Sequence, residues 1–280
     1  MAHPASVTLK DDAGNMVRVE RPASTIVSLT PHLTELAYAA GAGGMLIGVA
    51  EFSDYPAAAH AVRRIGDASR ADIEVLYALK PALALAWLSG NPAAERDRLR
   101  KLGIPLYVSE IRTFDDVARV VRDIGRLAGT TEVADSAASR FQVSAAALRA
   151  EYSGRRPLRV FYEIWHRPLM TVNGRHLISE AIQVCGGVNV FADARVLTPR
   201  VSLEAVIAMK PDVIVGGGSA AHGAGFVEAW RSYPVAALRK VPVKYLPPDT
   251  IQRATPRILE GARTLCGLLD QARNAAGVPD

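Results

Sequence analysis

The stretch Ile73-Glu-Val-Leu-Tyr-Ala-Leu-Lys-Pro-Ala-Leu-Ala-Leu-Ala86 returns 130 residues later as Leu203-Glu-Ala-Val-Ile-Ala-Met-Lys-Pro-Asp-Val-Ile-Val-Gly216. Glu74 matches Glu204, Lys80 matches Lys210, and Pro81 matches Pro211. Each copy predicts a short amphipathic helix, a Lys-Pro break and an apolar strand. The break falls there because proline lacks the N–H that would continue a helix and its ring crowds the preceding turn. A second pair extends the match: the segment from His32 to Gly41 resembles that from His176 to Gly186, with one inserted residue. Both read as helices closed by a glycine that accepts the left-handed conformation. Each follows an apolar run, Thr25–Leu29 in one half and Leu158–Tyr162 in the other. The period is too long for a solenoid and reads as a duplicated domain.

Outward from the repeat, strands and helices alternate, the pattern of a parallel sheet covered by helices. Strands are predicted at 25–29, 45–49, 82–87 and 104–108, with helices at 32–40, 57–61, 72–79, 92–102 and 114–128. The second series predicts strands near 158–163, 212–216 and 243–246, and helices near 175–185, 202–209, 225–231 and 256–270. Val7 to Arg21 reads as a short extended segment. Between the series, Glu132 to Ser153 lacks glycine and proline and is rich in alanine, which predicts one helix of about 33 Å. The fold class is therefore α/β, two Rossmann-like lobes joined by a single long interdomain helix. The predicted division is an N-terminal lobe at 1–130, a connecting helix at 131–154 and a C-terminal lobe at 155–280.

A chain of 280 residues with 49% hydrophobic and 22% charged residues can bury a full core, yet no apolar stretch reaches the roughly 20 residues of a membrane helix. The net charge of +5 is spread over scattered basic residues without aromatic interleaving, so nucleic acid is not an expected partner. The N-terminus Met1–Ser6 shows no charged-then-apolar signal pattern, which suits either a cytosolic protein or a secreted one without its signal. Two cysteines, Cys185 and Cys266, stand in no metal or redox spacing, each in the last turns of a predicted helix. A disulfide and two buried thiols both fit.

Val215-Gly-Gly-Gly-Ser-Ala-Ala221 contains a Gly-x-Gly-x-x-Ala pattern after a strand, a formal match to a dinucleotide fingerprint. A nucleotide-using intracellular α/β enzyme built around Gly216–Gly218 is the reading from a different class. The pattern arrives late in the chain, however, and its first-half counterpart Trp87-Leu-Ser-Gly-Asn91 lacks it, which favours a plain turn. The six histidines are dispersed, so no metal centre is expected, and no catalytic constellation stands out. A non-enzymatic binder fits better. The informative residues lie where strands end: Tyr55, Trp87, Trp165 with His166, and Asp249 with Arg253. In open parallel sheets ligands bind beyond the carboxyl ends of strands, where aromatics suit a large π-rich ligand better than a core.

The pattern Ile26-Val-Ser-Leu-Thr-Pro-His-Leu-Thr-Glu-Leu-Ala37, then Gly48-Val-Ala-Glu-Phe-Ser-Asp-Tyr-Pro56, then Ala78-Leu-Lys-Pro81, resembles the periplasmic binding proteins of ABC importers. More narrowly it is similar to the class whose two lobes share one long helix and whose ligands include cobalamin, haem and ferric siderophores. Within that class the cobalamin binders are matched by Ala86-Trp87 with Gly90-Asn91, Val184-Cys-Gly-Gly-Val-Asn189, Arg195-Val196 with Pro199 and Val201-Ser202, and Arg253-Ala-Thr-Pro-Arg257. The similarity runs over residues 24–268 with the motifs in order.

The resemblance implies a Cys185–Cys266 disulfide and a periplasmic location. It implies that Glu74 and Glu204 dock with arginines of a membrane permease served by ATPase subunits, whereas the residues alone read as solvated glutamates at helix starts. It implies a monomeric receptor whose transported ligand is cobalamin or another corrinoid, with no catalytic cofactor. Tyr55 and Trp87 resemble corrin-contacting aromatics, Asp249 and Arg253 lie in the pocket-facing loop, and Trp165 with His166 supplies surface from the second lobe. Two rim positions that carry tryptophan in the cobalamin binders are Ala68 and Thr198 here, which keeps a smaller corrinoid such as cobinamide, haem or a ferric siderophore as alternatives. For haem, Tyr55 or Tyr162 reads as the ligand.

Overall fold

Two four-stranded parallel sheets carry the chain in this computed structural model, which describes residues 6–217 and 224–275. The first follows an antiparallel hairpin of β1 (Val7–Lys10) and β2 (Met16–Val19). It is built from β3 (Ile26–Ser28), α1 (Pro31–Ala39), β4 (Leu46–Val49), α2 (Ile73–Leu79), β5 (Leu83–Trp87), α3 (Ala93–Lys101) and β6 (Leu106–Ser109), in the order β4-β3-β5-β6. Helices α4 (Phe114–Ala128) and α5 (Thr131–Glu151) follow. The second comprises β7 (Leu158–Glu163), α6 (Leu177–Val184), β8 (Gly187–Asn189), α7 (Leu203–Ala208), β9 (Val213–Gly216), α8 (Ala224–Arg231), α9 (Ala236–Arg239), β10 (Val243–Tyr245), α10 (Pro248–Ile251) and α11 (Ile258–Ala275). Its order is β10-β9-β7-β8.

Counted from its own first strand, each sheet has the order 2-1-3-4. The duplication read from the sequence thus extends to topology. In this order the winding reverses between the first and third strands, β3 with β5 and β7 with β9, and the loops leaving those strands diverge.

The repeated segment folds alike in both copies. The Asp72 carboxylate caps α2 by accepting the Val75 N–H at 3.1 Å, and the Ser202 hydroxyl caps α7 by accepting the Ala205 N–H at 3.2 Å. A left-handed lysine follows each helix, Lys80 as the cap of α2 and Lys210 just after the Met209 cap of α7, both with φ 46°. That conformation costs an L-residue roughly 1–2 kcal/mol, and the next residue is a proline that cannot extend the helix. Leu76 and Val206 are the buried residues of these two short helices. They join apolar cores that include Val27, Ala84 and Val108 in one case and Phe161, Ile214 and Trp230 in the other.

Two compact units result, Met1–Ile111 with Asp115–Gln142, and Arg112–Phe114 with Val143–Asp280. Helix α5 contributes to the first through Gln142 and to the second from Val143. The excursion Arg112–Phe114 is held within the second unit by Glu180 on α6. Its carboxylate accepts the Phe114 N–H at 2.5 Å and pairs with Arg149, whose guanidinium lies 5.3 Å from the Phe114 ring centre.

Several elements depart from expectation. The segment Val7–Arg21 is a hairpin, and β8, α9 and α10 are too short to leave a periodic signal. Residues Ala57–Ala61 form a 3₁₀ helix, a single short piece after Pro56. Helix α11 runs to Ala275 rather than 270, so Cys266 sits inside it and not in its last turns. Gly261 and Gly267 do not break the helix because each interior glycine costs only about 1 kcal/mol.

Cys185, at the end of α6, is bonded to Cys266 across a sequence separation of 81. Closing a loop of that length removes unfolded-chain entropy worth about 4.5 kcal/mol. The double substitution Cys185→Ala with Cys266→Ala is expected to lower the unfolding free energy of the second unit by about 2–5 kcal/mol, measured by urea denaturation.

Candidate functional site

In the first unit the winding reversal brings His32, which follows β3, against Trp87 at the end of β5. Their rings meet edge to face, 5.2 Å apart at 84°. Trp87 is half-buried and held on two sides. Its backbone N–H donates to Asn91 Oδ1 at 2.7 Å, and the buried Asn91 amide donates onward to the Ala68 carbonyl at 2.7 Å. Gly90 lies under the indole so closely that a Cβ there would fall 1.7 Å from Trp87 Cε3.

Tyr55 lies in the loop after β4 and is 45% exposed. The loop is anchored by Ser53, whose hydroxyl lies 3.0 Å from that of Thr34 and whose carbonyl accepts from Arg64 at 3.0 Å. Next to it, Phe52 has φ 62° and is 75% exposed. A left-handed backbone is uncommon and costly for a phenylalanine. Hydrophobic patterning cannot reveal such a residue, because backbone sign leaves no trace in residue type.

In the second unit, β7 ends at Glu163, a fully buried carboxylate. Its Oε2 accepts Trp230 Nε1 at 2.6 Å and its Oε1 lies 3.2 Å from His166 Nδ1. Burial pushes the Glu163 carboxyl up, while His166 and the Trp230 hydrogen bond pull it down. Neither Glu163 nor its indole partner, 67 residues away in sequence, gives a local signal. The turn after β7 is closed by Ile164 N–H to Met170 O at 3.0 Å and Met170 N–H to Trp165 O at 2.9 Å. Trp165 stands 44% exposed on this turn, its indole N–H donating to the Arg167 carbonyl at 2.9 Å.

Gln252 ties the segment after β10 to the same turn, its amide donating to Tyr162 Oη at 3.3 Å and to the Ile164 carbonyl at 3.5 Å. Asp249, exposed on α10, and the half-buried Arg253 flank Gln252. The second unit thus gathers Trp165, His166, Asp249 and Arg253 at the carboxyl edge of its sheet. Tyr162, read above as a haem ligand, is corrected: it is fully buried, its hydroxyl is engaged by Gln252, and burial pushes its phenol well up.

The glycine-rich stretch also has a plain structural role where it is described. A Cβ on Gly216 would meet the Glu163 carbonyl at 2.5 Å, and one on Gly217 the Leu246 carbonyl at 2.1 Å. These glycines let backbones approach at the end of β9; Gly218–Ala221 lie outside the described residues. Glu74 and Glu204 are both exposed in the first turns of the matched helices α2 and α7. The Glu204 carboxyl is drawn down by its own backbone N–H and then by Ser202.

With this geometry in view, residues 26–250 match the family model described as periplasmic binding protein. The chain is 37% identical over 252 residues to the vitamin B12-binding protein of Vibrio cholerae serotype O1, covering 90% of this chain and 91% of that one. It is 39% identical over 244 residues to the vitamin B12-binding protein of Yersinia pestis, covering 87% and 85% respectively. The crystal structure of the Vibrio cholerae periplasmic protein superposes with a TM-score of 0.82, covering 90% of this chain and 98% of that one. The periplasmic heme-binding protein RhuT from Roseiflexus superposes at 0.76 with 22% identity, covering 89% and 99%, a likeness of fold alone.

The substitution Gly90→Ala drives a methyl group into the Trp87 ring. Overpacking of this kind costs about 1–3 kcal/mol. A loss of that size in urea unfolding, with a changed tryptophan emission maximum, is the expected result.

Proposed function

The chain belongs to the periplasmic binding protein family, and on that premise we propose that it captures cobalamin or a related corrinoid for an ABC importer. The observation that carries the ligand reading is a rigidly seated, partly exposed aromatic at the carboxyl edge of each sheet, Trp87 in one unit and Trp165 in the other. A corrin is a broad apolar macrocycle fringed with amides. Flat indole and phenol faces such as those of Trp87, Tyr55 and Trp165 suit such a ring, and Asp249 and Arg253 offer a charged acceptor and donor suited to its amide rim. The names of the relatives at 37% and 39% identity support the same cargo.

Delivery is assigned to Glu74 and Glu204. Both occupy the second position of a capped helix, both are exposed, and each belongs to one copy of the repeat. Two like carboxylates suit a permease made of two like halves, each offering a basic site; net charge does not explain such docking, because the chain is basic overall. The receptor works as a periplasmic monomer, with the ATPase subunits acting beyond the permease, and it performs no chemistry on its cargo.

Calorimetric titration with cobalamin, cobinamide, haemin and a ferric siderophore tests the cargo. Heat from the corrinoids and none from the others is the expected outcome; binding of haemin alone overturns the corrinoid assignment and keeps the receptor. For delivery, Glu74→Lys with Glu204→Lys is expected to abolish uptake into vesicles carrying the permease while corrinoid affinity stays unchanged. A weakened affinity would place these carboxylates in the binding site instead.

A further inference from the structure

We infer that His166 is an axial ligand for the cobalt of a corrinoid that lacks its own axial base, with Nε2 bound to the metal and Glu163 holding the ring by Nδ1. This rests on the corrinoid reading above and adds a metal bond to it.

The argument starts from Glu163. A carboxylate with no exposed surface is tolerable only when its oxygens are used. One oxygen takes the Trp230 indole N–H at 2.6 Å, and the other takes His166 Nδ1 at 3.2 Å. With the carboxylate as acceptor, the imidazole proton resides on Nδ1 and the lone pair on Nε2. That is the arrangement by which proteins prepare a metal-binding imidazole: a buried carboxylate fixes its tautomer and orientation through the opposite nitrogen and raises its basicity. Among the described residues, His166 Nε2 has no hydrogen-bond partner, and the side chain keeps 14% of its surface exposed. A histidine serving only the fold looks different here. His176 is buried, spends Nδ1 in accepting the Ile178 N–H at 3.1 Å as a helix cap, and is held down to about 4 by burial and then by Arg112.

The surroundings suit a cargo-borne metal. His166 lies on the turn closed at Trp165 and Met170, directly after the first strand of its sheet, where the winding reverses. The exposed Trp165 beside it offers a face for the macrocycle. Among the described residues, no group of three or more His, Cys, Asp or Glu could hold an ion. A single imidazole is insufficient for a free cation, yet it completes a metal that already has four ring nitrogens. The step exchanges one ligand: the cobalt–water bond breaks, the cobalt–Nε2 bond forms, and water leaves. The cobalt oxidation state and the Nδ1 proton are unchanged.

The test uses the full chain with diaquacobinamide, followed by visible absorption, and with cob(II)inamide, followed by electron paramagnetic resonance. Binding is expected to shift the absorption bands and to split each cobalt line into a triplet from one nitrogen. Protein labelled with ¹⁵N-histidine is expected to turn that triplet into a doublet, and His166→Ala to abolish it. Calorimetric binding of cobinamide without nitrogen splitting overturns the axial-ligand assignment and leaves the corrinoid reading intact. No calorimetric binding of any corrinoid overturns both.

Discussion

A parallel strand can be followed by another only through a crossover, and in each sheet the first strand has neighbours on both sides. Successive crossovers must therefore run to opposite sides, and a gap opens at the carboxyl end of the first strand. Three of the proposed ligand-facing residues lie at or beside this gap: Trp87 at the end of β5, with His32 against it after β3, and Trp165 with His166 after β7. Loops at such a gap cannot rely on the sheet ladder, so each is fastened by side chains. Asn91 and Ser53 serve the first unit, and Gln252 and Glu163 serve the second.

The two units fasten their aromatics by different means. In the first, Trp87 is seated by the absence of a side chain at Gly90 and by a buried amide that closes the loop. In the second, the turn is organised around a buried carboxylate shared by an indole and an imidazole. Burying that charge is costly unless both oxygens are satisfied, which makes Glu163, Trp230 and His166 a single unit energetically. Similar topology thus supports dissimilar chemistry on its two rims.

Much of the scaffold was legible because its signals are local. The Lys-Pro break, helix-closing Gly41 and Gly186, and the alanine-rich run that became α5 each decide their structure within a few residues. The positions of Tyr55, Trp87, Trp165 and Asp249 beyond strand ends were legible for the same reason. The pairing of Glu163 with Trp230 was not, because a glutamate at the end of an apolar run looks like any strand terminus until the helix 67 residues later packs over it. Phe52 escaped because its sequence is ordinary and only its backbone is strained. Tyr162 was misread because an aromatic near a strand end can point into the core as readily as out of it. Short pieces such as β8 and α10 owe their form to neighbours and carry no period of their own.

The bond between Cys185 and Cys266 also has a direction in time. Cys185 closes the first helix of the second sheet, whereas its partner lies in α11, the last helix among the described residues. During synthesis, the earlier thiol must therefore wait while β8, β9 and β10 are made before any native partner exists. A chain made only short of Cys266 leaves Cys185 unpaired, and only a chain extended past Cys266 in oxidising surroundings can close the loop. The covalent link thus records that synthesis has passed Cys266.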